Sequence, residues 1–153
     1  MVIHIECLPD ETLLKKLGYS RKQIEHHQGK SRVLGKISSL KDQIGLIDED
    51  PMAAQHTYEQ SLITESISNG VTLRKDVEKN NKVLILKVKL EDWIISACKK
   101  SHIEPADFGL PNKPNELHSV INNRIAAYER LLDALLAEKN PNLLTLKACL
   151  EGK

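Results

Sequence analysis

Apolar and polar residues alternate in VIHIEC (2–7), a β-branched run that predicts a strand. In LPDETLLKKLG (8–18) the apolar positions shift to helical spacing, with Leu13, Leu14 and Leu17 on one face, Asp10 near the start and Gly18 at the stop. The pattern then repeats. QIEHHQ (23–28) predicts a short strand, and GKSRVLGKISSLKD (29–42) places Val33, Leu34, Ile37 and Leu40 on one helical face. QIGLI (43–47) is a third strand, so the first fifty residues read βαβαβ, the signature of a parallel sheet with right-handed crossovers.

The periodicity weakens from Met52 to Gly70, where AAQHTYEQSLITESI predicts a helix before the turn SNG. VTLRKDV and KVLILKV predict two strands joined through Asn80-Asn81, and LEDWIISACKK a helix with an acidic first turn and Trp93, Ile94, Ala97 and Cys98 facing inward. After a loop containing three prolines (103–114), one helix from Asn115 carries Leu117, Ile121, Ile125, Tyr128, Leu132 and Leu135 as a stripe. Pro141 opens a last short helix through Leu150. The expected architecture is one domain, a three-layer α/β fold with a mainly parallel sheet over residues 1–100 and a helical addition over 101–153. The stripe packs intramolecularly or serves a partner helix or a homodimer face.

Composition changes this picture little. The chain is 41% hydrophobic and 28% charged with a formal net charge of +1, so overall charge argues neither for nor against nucleic acid. With 3% aromatic residues it offers no base-stacking platform. Cys7, Cys98 and Cys149 show no metal-ligand spacing and read as small buried hydrophobes in a reducing compartment. No apolar run is long enough for a membrane span and no signal-peptide pattern opens the chain, so the expected location is the cytoplasm.

Acids carry the chemistry. In a parallel α/β sheet the site lies beyond the carboxyl ends of the strands, where Glu6 closes the first strand, Asp48 and Asp50 the third, and Glu91 follows KVLILKV. Asp10 lies one short loop beyond Glu6. Carboxylates converging in a partly dry pocket repel unless protons or a cation intervene, and an all-oxygen set suits Mg²⁺ or Mn²⁺. The alternative for Asp48, Glu49 and Asp50 is a solvated turn before Pro51 that caps the next helix.

IECLPDETLLKKLG resembles the glutamate motif that opens the Toprim (topoisomerase–primase) domain, and GLIDEDP resembles its Asp-x-Asp motif. HHQGKSRV is similar to the Gly-Lys-rich turn of small Toprim proteins and of the overcoming-lysogenization-defect nucleases, and LEDWIISA to a further acidic helix start in some of them. The likeness runs from Val2 to Cys98 and leaves the C-terminal third unaccounted for. It implies Mg²⁺- or Mn²⁺-dependent phosphodiester chemistry on DNA or RNA. In that reading Glu6 is a general base or ligand, Asp48 and Asp50 hold the metal, Glu91 marks a second metal position, and Asp10 is a supporting ligand. The chain lacks room for the added domains of a topoisomerase or primase and carries no attached ATPase, which leaves a small nuclease or a non-catalytic subunit working with an ATPase or other protein partner.

GKS at Gly29 to Ser31 is not a P-loop, because Ile24 stands where the first glycine belongs; Lys30 at a helix start either binds phosphate and offsets developing charge or lies in a surface turn. Between Lys15 and Lys41 there are eight Lys or Arg and one acid, Glu25, which suits a polyanion or a pair of solvated helices. His26 and His27 point to opposite sides of a strand, so they do not share an ion without a bend; His27 is the supporting candidate, as an acid or phosphate contact. A phosphotransfer receiver fold is disfavoured, since it expects paired acids after the first strand rather than the third.

Overall fold

Ile3 and Ile5 point to one side of the first strand and His4 to the other, and this alternation decides how the sheet is covered. The computed structural model describes residues 1–152. Its strands are β1 (Ile3–Ile5), β2 (Ile24–His26), β3 (Ile44–Asp48), β4 (Ile63–Ser68), β5 (Val71–Asp76) and β6 (Asn81–Leu86), in the order β2-β1-β3-β6-β5-β4. The pairings among β2, β1, β3 and β6 are parallel and those of β5 with β6 and with β4 antiparallel, so β5 alone runs against the rest.

Helices cover both faces. On one face Ile3, Ile5, Leu46, Leu84 and Leu86 pack with Leu13 and Leu14 of α1 (Leu8–Lys16), with Trp93 and Ile94 of α4 (Leu90–Lys100), and with the C-terminal helices. On the other, α2 (Lys30–Ser38) lays Val33, Leu34 and Ile37 against Ile47, Val83 and Ile85. Gly45 permits that approach, because a Cβ there would stand 3.1 Å from Ile37 and 3.3 Å from Val33. Trp93 is fully buried and donates its indole N–H to Asn69 O, as its place beneath the sheet predicts.

Two expected helices are corrected. Residues 53–67 form only one short helix, α3 (Thr57–Ser61), followed by strand β4. All six residues of β4 are exposed, so no buried stripe distinguishes helix from strand, and pairing with β5 through a register shift between Thr64 and Ser66 decides the outcome. The stripe from Asn115 belongs to two helices, α5 (Pro114–Val120) and α6 (Ile125–Ala137), separated by a 3₁₀ turn at Ile121–Asn123 and by Arg124 at ψ 40°. The two helices and the turn between them still bury the predicted residues Leu117, Ile121, Tyr128, Leu132 and Leu135, and Ile125 packs partly buried against them. With α7 (Pro141–Glu151) they join the same core as α1 and α4. Cys98 is buried as expected, whereas Cys7 and Cys149 are half-buried; all three are free thiols. Among the described residues no helix is long and apolar enough to cross a membrane.

Candidate functional site

Adjacent parallel strands bring their carboxyl ends together, and the acids predicted from that rule meet around β1 and β3. The Asp48 N–H donates to Glu6 Oε2 at 2.8 Å, and Asp10, in the first turn of α1, accepts the Glu6 N–H at 3.3 Å. Asp48 Oδ1 in turn accepts the Leu90 N–H at 3.0 Å, so the last residue of β3 caps the start of α4 from across the sheet. Glu91, the next residue of that helix, is 5% exposed and meets His118 of α5 at 2.8 Å.

The pocket's electrostatics follow from burial and mutual repulsion. Burial, then the charges of Asp10, Glu6 and Glu91, push Asp48 up to about 8. Burial and Glu6 hold Asp10 up at about 7. Glu6 is also raised by burial, although the Asp48 amide and the Lys30 charge oppose the shift. Burial of Cys7 beside Asp10 pushes its thiol up as well, which removes it as a nucleophile.

Asp50 and Lys30 lie on another side of this pocket. Asp50 has a left-handed backbone (φ 37°), and its charge is felt at Glu6. With Lys30, Glu49, Glu59 and Arg74 it lines a cleft of about 430 Å³ on the α2 side of the sheet, where α3 leaves β4 and β5 uncovered. Gly29 precedes Lys30 at φ 95°, a conformation suited to glycine at this helix start. Lys30 Nζ donates to Glu49 O at 2.9 Å and lies 3.3 Å from Glu59 Oε2. That ion pair lacks hydrogen-bond geometry: Glu59 Oε2 and, across the cleft, Arg74 Nε are buried without a hydrogen-bond partner. His27 joins neither group and instead meets His4 and Glu25.

An oxygen-only donor set fits Mg²⁺ or Mn²⁺, which commonly take one or two carboxylates and complete their shell with water and phosphate. Glu6, Asp48 and Asp10 supply that set, and a dication among them would oppose both the burial and the neighbouring negative charge that raise their pKa values. They are not gathered into a closed three-oxygen cradle: among the described residues, the trio of candidate ligands whose atoms all lie within 4.8 Å is His4, Glu25 and His27.

Glu59, Arg74 and the partners of His27, His4 and Glu25, carry no local signal that joins them to a site, because each depends on long-range register. Arg74 reaches the cleft through its pairing with Thr64 on one side and Val83 on the other. The one sequence hint was His4 itself, a polar residue between two isoleucines of a strand. The chain matches no protein-family model, no curated protein and no solved structure.

Proposed function

We propose that the chain is a Toprim-like, metal-dependent phosphodiesterase acting on DNA or RNA. The observation that carries this reading is the set of Glu6, Asp10 and Asp48 around the carboxyl ends of neighbouring parallel strands, with pKa values raised first by burial and then by neighbouring carboxylates, Asp50 for Glu6, Glu6 for Asp10, and Asp10 and Glu6 for Asp48. Glu6, Asp48 and Asp10 would hold Mg²⁺ or Mn²⁺, which when bound polarises a phosphodiester and acidifies water. Glu6, whose raised pKa brings it nearer neutrality, is placed to accept the proton of the attacking water. Lys30 and Arg74 offer positive charge along the adjoining cleft, where the nucleic-acid backbone would run.

The test is cleavage of single- and double-stranded DNA and RNA with Mg²⁺ or Mn²⁺. Cutting that disappears with chelator and in Asp48→Asn supports the reading; cutting that survives both contradicts it.

A second reading, a non-catalytic subunit working with an ATPase or other protein partner, draws on a different observation. Glu6, Asp10 and Asp48 each accept a backbone N–H, so these acids also serve to join β1, β3 and α4. Folded protein that binds Mn²⁺ at the pocket yet cuts none of the four polymers would favour it.

A further inference from the structure

His4 lies in β1 directly opposite Glu25 in β2, and His27, one residue past the end of that edge strand and donating its N–H to Ile5 O at 2.9 Å, falls on the same side as Glu25. The alternation that carries Glu25 and His27 toward His4 turns His26 the other way, against Glu11. His4 Nδ1 stands 2.8 Å from His27 Nε2 and 3.9 Å from Glu25 Oε2, and His27 Nε2 is 3.7 Å from Glu25 Oε1. Three donor side chains from two strands therefore face one point, with the His4 and His27 rings stacked at 5.1 Å.

The tautomer of His4 follows from its other nitrogen. Gln43 Nε2 donates to Lys41 O at 2.9 Å, which turns the Gln43 carbonyl toward His4 Nε2 at 2.7 Å. His4 Nε2 must then carry the hydrogen, and Nδ1 presents its lone pair to Glu25 and His27. This is the arrangement by which a second group orients a metal-binding imidazole. His4 is 1% exposed, while the Glu25 side chain is 47% exposed, so the trio has a fixed floor and an open mouth.

We propose that His4, His27 and Glu25 form a binding site for Zn²⁺ or a similar late first-row divalent ion, separate from the carboxylate pocket. Two imidazoles and one carboxylate suit these ions, whereas Mg²⁺ and Mn²⁺ prefer oxygen. Three protein ligands leave a fourth position for water or an external ligand. In the metal-free chain His27 Nε2–H donates to His4 Nδ1. Binding replaces that hydrogen bond with two coordinate bonds, and the single ring hydrogen of His27 moves from Nε2 to Nδ1 through solvent, so His27 ligates as a neutral imidazole with no net proton released. The nitrogens separate to about 3.3 Å, as tetrahedral bonds of about 2.0–2.1 Å require.

The experiment is titration of the full chain with Zn²⁺ by calorimetry and with Co²⁺ by its visible d–d bands, in excess Mg²⁺. One equivalent is expected to bind, with affinity at least about 100-fold weaker in His27→Ala and about 10–100-fold weaker in Gln43→Ala, whose residue orients a ligand. Glu25→Gln, at an exposed position, is expected to weaken binding without unfolding the chain, which the buried His4 does not guarantee. Asp48→Asn is expected to leave Zn²⁺ and Co²⁺ binding unchanged. Folded wild-type protein that binds neither ion, binding unaltered in both His27→Ala and Glu25→Gln, or binding lost in Asp48→Asn would each overturn the assignment.

Discussion

Asp48→Asn is expected to raise the melting temperature of the metal-free protein at pH 8 while reducing metal-dependent cleavage to background. Asp48 is ionised near its ordinary pKa of 3.8 in the unfolded chain but only near 8 in the fold. Between those values the folded state holds more protons than the unfolded state, so this group's contribution to stability falls as pH rises from about 4 through about 8. Asparagine keeps an oxygen for the Leu90 N–H and removes the charge. The gain at pH 8 is on the order of 3 kcal/mol, or about 5–10 °C for a chain of this size, and it shrinks toward pH 4. Thermal melts of variant and wild type from pH 4 to pH 8.5 report the Asp48 charge together with its coupling to Asp10, Glu6 and Glu91, since titrating groups outside the pocket are common to both. A gain that grows toward low pH would contradict the pocket's electrostatics. Saturating Mn²⁺ is expected to narrow the gap by stabilising the wild type alone.

Lys30→Met is expected to destabilise the protein by about 3–5 kcal/mol, because it leaves Glu59 as a buried charge without its cation. The side chains are 12% and 8% exposed, and Glu59 Oε2 already lacks a hydrogen bond. The double variant Lys30→Met/Glu59→Met is expected to recover most of that loss, which urea denaturation of the two singles and the double would show as a coupling energy. If Lys30→Met melts like the wild type and only cleavage falls, Lys30 acts on phosphate and its bond to Glu59 is incidental.

Sequence periodicity located β1, β2, β3, β5 and β6: the buried strands β1, β3 and β6 carry apolar runs, β5 alternates buried and half-buried positions, and β2, an edge strand with only Ile24 buried, was marked by its place between two helices with clear faces. It failed at β4, whose Ile63 and Ile67 face solvent, so nothing buried revealed the strand. It also missed the break at Ile121–Asn123, since the stripe on α5 and α6 stays in phase across the interruption. At the site, the strand-end rule brought Glu6, Asp10 and Asp48 together by position alone. It did not separate Asp50 from Asp48, because Asp50 lies beyond the strand, where a left-handed residue redirects the chain toward the Lys30 cleft. The opposed directions of His26 and His27 followed from strand alternation, but the partner of His27 lies on the neighbouring strand. Finding His4 and Glu25 as that partner set required the register of β1 against β2.

The carboxylate pocket is tested most directly by Mn²⁺ binding to wild-type and Asp48→Asn protein, both carrying His27→Ala so that the histidine cluster cannot contribute. The account predicts saturable binding to the first and at least about 100-fold weaker binding to the second. Equal affinity in both, or no binding by the folded wild-type pocket, would contradict the assignment of Glu6, Asp10 and Asp48 to a metal.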